Sequence, residues 1–267
     1  TDVAREAADL VLVDDNFASI VRGIRVGRRI FGNLQKSMQY IFAIHIPIAG
    51  IALIPMLMGW PPLMLPLHVA LLELVIDPAC SLAFESEPEA PDVMQRPPRD
   101  THAPLFGAPA IGLAMGQGLC VLASVALTFV LAKVWSGAWT FTWAPLWATD
   151  WPTTAFIALS EAQIRAMVFI TLITGNAALI LSNRAGGGHF WRSWRTPNLM
   201  AYAVIGLAGV LLALAIAWPW LAVPLQFESL PLWPTLLATG SGLLSGVGVS
   251  FVHWAAAAGQ ARPQRRP

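Results

Sequence analysis

Apolar positions in this chain come in long unbroken blocks, not at the two-residue period of a strand or on one face of a surface helix. The first block runs from about Met38 to Leu57, and five more follow near residues 63–84, 108–134, 164–181, 199–221 and 233–257. A helix needs about 20 apolar residues to cross the hydrocarbon core of a bilayer, and these blocks approach or reach that length. The longer intervening segments, 85–105, 135–163 and 183–198, are too polar or too interrupted by Pro and Gly to stay in lipid. The pattern predicts an all-α membrane protein with six transmembrane helices.

Upstream of the first block the pattern is helical and amphipathic. Ile20, Ile24, Ile30 and Phe31 alternate with Arg22, Arg25, Arg28, Arg29 and Lys36, with no break before Met38. Stalk and membrane helix therefore read as one rod of about 40 residues, roughly 60 Å long at 1.5 Å per residue. Before it, residues 2–8 read as the end of a short helix. Residues 10–13 (LVLV) read as a brief buried strand closed by Asp14, Asp15 and Asn16. A single strand makes no sheet, so this piece is expected to belong to an α/β domain whose remainder lies upstream. The chain opens on Thr1 without an initiator Met, as expected of a truncated sequence.

Composition agrees with lipid. Of 267 residues, 56% are hydrophobic and only 12% charged, with mean hydropathy +0.62, whereas soluble domains carry about 25% charged residues. A net charge of +1 leaves no electrostatic support for a nucleic-acid partner. Cys80 and Cys120 both fall in apolar blocks and read as inert packing thiols. Basic residues are one-sided. Six precede the first block (Arg5, Arg22, Arg25, Arg28, Arg29, Lys36), Arg96 and Arg99 lie between the second and third, Arg184, Arg192 and Arg195 between the fourth and fifth, and Arg262, Arg265 and Arg266 follow the sixth. The opposite loops hold only Lys133 and Arg165, at helix edges, and are rich in Trp (Trp60, Trp135, Trp139, Trp143, Trp147, Trp151, Trp220). Basic loops stay cytoplasmic and Trp gathers at interfaces, so both termini are expected on the cytoplasmic side.

Only Glu73 and Asp77 place acidic groups inside an apolar block, in LHVALLELVIDPACSLAF. Four residues apart, they share a helix face, and an intramembrane carboxylate is costly unless it meets a partner, an ion or a cavity. Pro78 follows at once and removes the donor for the Leu74 carbonyl. Pro47 does the same for Ala43, beside His45. The candidate cation ligands are therefore the Glu73 and Asp77 carboxylates, the His45 imidazole and the Leu74 and Ala43 carbonyls, at helix breaks made by Pro78 and Pro47. The alternative is protonated or internally bonded carboxylates that only pack, and a His45 that bonds across a helix interface. Cys80 near Pro78 raises a further alternative, a soft-metal site. Gly112 and Gly116, like Gly242 and Gly246, have the four-residue spacing of close helix contacts. The 186–188 glycine run lacks the Lys and Ser of a phosphate loop.

Two segments carry a resemblance. TDVAREAADLVLVDDNFASIVRGIRVGRRIFGNLQKSMQY resembles the junction in P-type ATPases between the phosphorylation (HAD-like) domain and the stalk of the fifth membrane helix. ELVIDPACSLAFESEPEAPDVMQRPPRD resembles the sixth membrane helix and following loop of the calcium-pump-like branch, ending in the Met-x-Arg-Pro-Pro-Arg pattern at Met94 to Arg99. The resemblance implies a HAD-like remnant over 1–16, a stalk over 17–36, a six-helix membrane domain over 37–257 and a cytoplasmic tail over 258–267, in a bacterial plasma membrane. It places Glu73 and Asp77 at the cation positions of the sixth helix and His45 where the fifth often has an amide. Ile48 and Ile173 fall where two-calcium pumps carry further carboxylates, which implies one transported cation, or one plus a proton. The four helices after the pair argue against a heavy-metal pump. ATP and Mg would be bound by missing amino-terminal domains of the same pump, since neither the DKTGT acceptor motif nor the TGE loop occurs here. The competing readings are a stand-alone six-helix channel or secondary transporter and a non-transporting remnant that regulates an intact pump.

Overall fold

Asn16 starts the longest element. In the computed structural model, which describes residues 2–9, 11–14, 16–99, 104, 106–137, 159–184, 193 and 197–260, its side-chain carbonyl accepts from the Ala18 N–H at 2.9 Å. It thereby caps α2, Phe17–Leu57, a single helix of 41 residues. Asp14 accepts from the Ser19 hydroxyl at 2.6 Å, and that bond, with one from the Asn16 N–H, holds its carboxyl below the usual carboxylate range. Neither Pro47 nor Pro55 ends α2. The helix stops where Gly59 takes φ 69°, a left-handed turn that favours glycine.

Among the described residues ahead of α2 the one helix is the short α1, Asp2–Glu6. The strand expected at 10–13 is not formed: residues 11 and 12 have no regular structure, 13 and 14 turn, and Leu10 lies outside the described residues. With no second strand among the described residues, the backbone groups of such a segment have no ladder to join.

The second apolar block also departs from expectation. Residues Pro66–Pro78 form α3, 13 residues long, and Ala79–Phe84 continue as a π-helical turn. Pro78 offers no N–H and interrupts the i→i+4 ladder, and the chain goes on with the wider i→i+5 pattern. Among the described residues, five helices are thus long and apolar enough to cross a membrane by themselves. They are α2, α4 (Ala108–Trp135), α5 (Glu161–Arg184), α6 (Leu199–Ala217) and α8 (Leu232–Gln260), with the single turn α7 (Pro219–Ala222) after α6. The Trp-rich loop around Trp139 to Trp151, and Arg192, Arg195, Arg262, Arg265 and Arg266, lie outside the described residues.

The bundle is built around α5. In its most apolar stretch 83% of residues are buried, against 39% in α2 and α4 and 22% in α6. It packs against α8 and α4, α4 in turn holds α2, and α6 joins through the π-helical turn. Hydroxyls knit α4, α5 and α8 together. Ser124 donates to the Ser241 carbonyl at 2.7 Å, Thr128 to the Ser241 hydroxyl at 3.0 Å, and Thr171 to the Ala238 carbonyl at 3.1 Å.

The glycine spacing is only partly realised as contact. A Cβ at Gly242 would lie 2.6 Å from the Thr171 carbonyl, and one at Gly116 would lie 2.9 Å from Val252, but one at Gly112 meets nothing within 4 Å. Gly242→Ala should therefore force α5 and α8 apart and cost about 1–3 kcal/mol, as overpacking does. Gly112→Ala should be neutral or stabilise by up to about 1 kcal/mol through helix propensity. Thermal unfolding of the two variants in detergent, followed by circular dichroism, checks the contrast. Equal midpoints would show that the α5–α8 contact is not backbone-close.

Candidate functional site

On α3, Leu72, Val75 and Ile76 are buried and Leu74 is 57% exposed. Glu73 stands half-buried between these faces. Asp77 follows one turn later on the same helix, its side chain outside the described residues. The i,i+4 spacing puts positions 73 and 77 on one side of α3. Pro78, four residues after Leu74, has no N–H to offer the Leu74 carbonyl.

The ligands expected from α2 are arranged otherwise. Tyr40 and Phe84 pack with ring centroids 5.3 Å apart, and Asn33 donates to the Glu87 carbonyl at 2.9 Å, which identifies the α2 face turned to the π-helical turn. His45 lies about 140° around the helix from Tyr40, at 100° per residue. Its imidazole is exposed and its Nδ1 is 2.7 Å from the Ile41 carbonyl of the same helix. The Ala43 carbonyl, beside Pro47, faces α4: a Cβ added at Gly118 would collide with it and lie 2.8 Å from Ile46. Positions 73 and 77 thus both lie on α3, while His45 is exposed on α2 and the Ala43 carbonyl faces α4. Among the described residues, no three His, Cys, Asp or Glu side chains gather where they could hold a metal ion. A cation beside Glu73 would have to draw on backbone, hydroxyl or amide oxygens as well.

The carboxylate-bearing helix is fixed at both ends by residues that the sequence pattern did not single out. At its start His68 is fully buried and stacked on Phe227, with centroids 4.7 Å apart. The Leu65 N–H donates to its Nδ1 at 3.1 Å, so the ring carries its proton on Nε2 and donates to the Leu225 carbonyl at 2.7 Å. Arg165, read from sequence as a helix-edge charge, is only 8% exposed. It donates to both the carbonyl and the side-chain oxygen of Gln226 at 3.1 Å, holding that residue at φ 50°. Lys133 is likewise buried and pairs with Glu161. At the far end Glu87 is 3% exposed and pairs with Arg184, whose side chain is fully buried, at 2.8 Å. A charged residue at the rim of an apolar block was the only available signal for these contacts.

Comparison with known proteins gives this arrangement a family. The family model described as "Cation transporting ATPase, C-terminus" matches residues 61–255. A calcium-transporting ATPase 1 of Bacillus cereus is 33% identical over 138 residues, 51% of this chain and 15% of that protein. A calcium-transporting ATPase of Bacillus subtilis is 35% identical over 133 residues, 49% of this chain and 15% of that protein. The human sodium/potassium-transporting ATPase subunit alpha-4 is 41% identical over 120 residues, 44% of this chain and 12% of that protein. The aligned parts thus span no more than 15% of these relatives' own length. With its apolar bundle and its matched region covering most of the sequence, the chain belongs to the cation-transporting P-type ATPases, in the carboxyl-terminal membrane part of that family.

Proposed function

We propose that this chain is the membrane, cation-binding part of an ATP-driven pump, with α3 and the π-helical turn carrying the ion and α2 transmitting movement to it. The observation that carries the reading is the Glu73–Asp77 pair on an apolar helix whose hydrogen-bond ladder is interrupted at Pro78. His45 and the Ala43 carbonyl are left out of the ligand set because one is exposed and the other packs on Gly118. ATP and Mg would be held by domains outside this sequence. The residues present do not fit them, since no DKTGT acceptor occurs in this sequence. The ion is a monovalent or divalent cation or a proton, as two carboxylates allow.

The finer topology is part of the same proposal. The 13 residues of α3 and the 6 of the π-helical turn act as one crossing, about 28 Å at an α-helical rise, close to the ~30 Å hydrocarbon thickness. This makes six crossings in the plasma membrane, with the basic segments, both termini and the 17–36 stalk on the cytoplasmic side. A cysteine introduced after Arg266 should stay unreactive toward an impermeant reagent in intact cells and react once they are opened. Labelling from outside would reverse the orientation.

In a pump that carries this chain, Asp77→Asn and Glu73→Gln should each raise the half-saturating cation concentration for acyl-phosphate formation by tenfold or more, because the amide keeps volume but loses charge. Measured with labelled ATP against calcium, and against sodium if calcium does not stimulate, unchanged half-saturation in both variants would make the carboxylates packing residues.

Cation count follows from neighbouring positions. Ile48 on α2 and Ile173 on α5, where the resemblance places further carboxylates, are apolar and buried at 8% and 5% exposure. A second divalent ion would have only the charges of Glu73 and Asp77 to share, leaving buried positive charge uncompensated. Equilibrium binding of labelled calcium should therefore find at most one ion per phosphorylation site. Two would refute this.

A further inference from the structure

The loop that follows the π-helical turn is mostly exposed, yet Glu87 within it is 3% exposed. Its Oε2 accepts from Arg184 Nε at the end of α5 at 2.8 Å and from Asn198 Nδ2 at the start of α6 at 2.9 Å. The same Asn198 amide donates to the Ala83 carbonyl inside the π-helical turn at 2.9 Å, and its Oδ1 caps α6 by accepting from the Ala201 N–H at 3.1 Å. The Glu87 carbonyl accepts from Asn33 of α2 at 2.9 Å. Four elements, α2, the π-helical turn, α5 and α6, therefore meet on the Glu87–Asn198 pair.

The rest of the loop follows it onto α2. Arg28 donates to the carbonyls of Val93 at 2.9 Å and Arg96 at 2.7 Å, and the Arg99 guanidinium lies 4.5 Å from the Phe31 ring centroid. At the opposite end of the same crossing, His68 holds the first turn of α3 to the Leu225 carbonyl. With both ends held, the carboxylate pair cannot be repositioned by sliding the segment as a rod. Its depth and its facing are set by where the two pins stand.

We propose that Glu87 is a positioning residue for the cation site, fixing through Arg184 and Asn198 the end of the helix that carries Glu73 and Asp77, and so setting cation affinity. This rests on the reading of Glu73 and Asp77 as cation ligands. A buried pair is a poor source of net stability, because desolvation offsets the attraction, but removing one partner leaves the other charge uncompensated and lets the joint rearrange. The guanidinium's planar donors add geometric definition that a single apolar contact would lack.

The test uses a pump that carries this chain, with Glu87→Gln, Arg184→Gln, the double variant and Glu73→Gln as reference. Acyl phosphate is formed from labelled ATP and titrated with calcium, or with sodium if calcium does not stimulate the wild type. Each single substitution at the pair should raise half-saturation at least tenfold while the maximum per folded pump is kept. The double variant, with two neutral amides able to bond to each other, should return to within about threefold of wild type, since the uncompensated charge is gone. Should Glu87→Gln fail to accumulate, Glu87→Asp, which keeps the charge and withdraws it by one methylene, gives the same readout. Half-saturation within twofold of wild type in the single variants, a fall in the maximum alone, or a double variant as impaired as the two singles combined would overturn the proposal. Failure of the site reading is seen separately: Glu73→Gln would then leave half-saturation unchanged, which sinks both, whereas an impaired Glu73→Gln beside an unaffected Glu87→Gln sinks only the positioning role.

Discussion

Hydrocarbon supplies no hydrogen bonds, and among the described residues most buried polar side chains answer that constraint with a partner inside the protein, Asn176 Oδ1 and the Ser182 hydroxyl on α5 being exceptions. The hydroxyls of Ser124, Thr128 and Thr171 turn to α8, His68 uses both ring nitrogens, Arg165 takes up the carbonyl and side chain of Gln226, and Glu87 gathers Arg184 and Asn198. Because these bonds join different helices, satisfying the polar groups also fixes how the helices sit. Small residues serve the same end where Gly242 lets α8 approach the α5 backbone. Against this background Glu73 stands out. It is a half-buried carboxylate on an apolar helix, where an acid is costly without a compensating group.

The coarse architecture was legible because lipid imposes length and apolarity, which need no knowledge of neighbours. Five blocks became helices close to the expected bounds, and α2 runs unbroken through its basic and apolar halves. The second block was harder to read. Proline at position 78 announced an interruption, but not that the chain would recover as a π-helical turn. The LVLV segment looked like a strand from β-branched content, yet a strand is a property of a pair, and its partner is not among the described residues.

Site residues divide the same way. Glu73 and Asp77 were singled out because charge in an apolar run is conspicuous at any orientation. His45 was grouped with them by depth along the helix, but depth says nothing about azimuth, and about 140° separates it from the face that meets the π-helical turn. Lys133, Arg165 and Glu87 were passed over for the converse reason. Each sits in sequence at a boundary where charges are ordinarily solvated, and only the packing of distant segments shows them buried.

The contact between the Ala43 carbonyl and Gly118 gives α2 a mechanical character. Along its 41 residues this is where the helix touches α4 backbone to backbone, with Gly50 against Leu122 a little further on. From Ala43 to Phe17 is about 39 Å and from Ala43 to Leu57 about 21 Å, at 1.5 Å per residue. Pro47 lies one turn beyond this contact and denies the Ala43 carbonyl its helical donor, so the longer arm and the shorter one meet where the helix both leans on α4 and bends most readily.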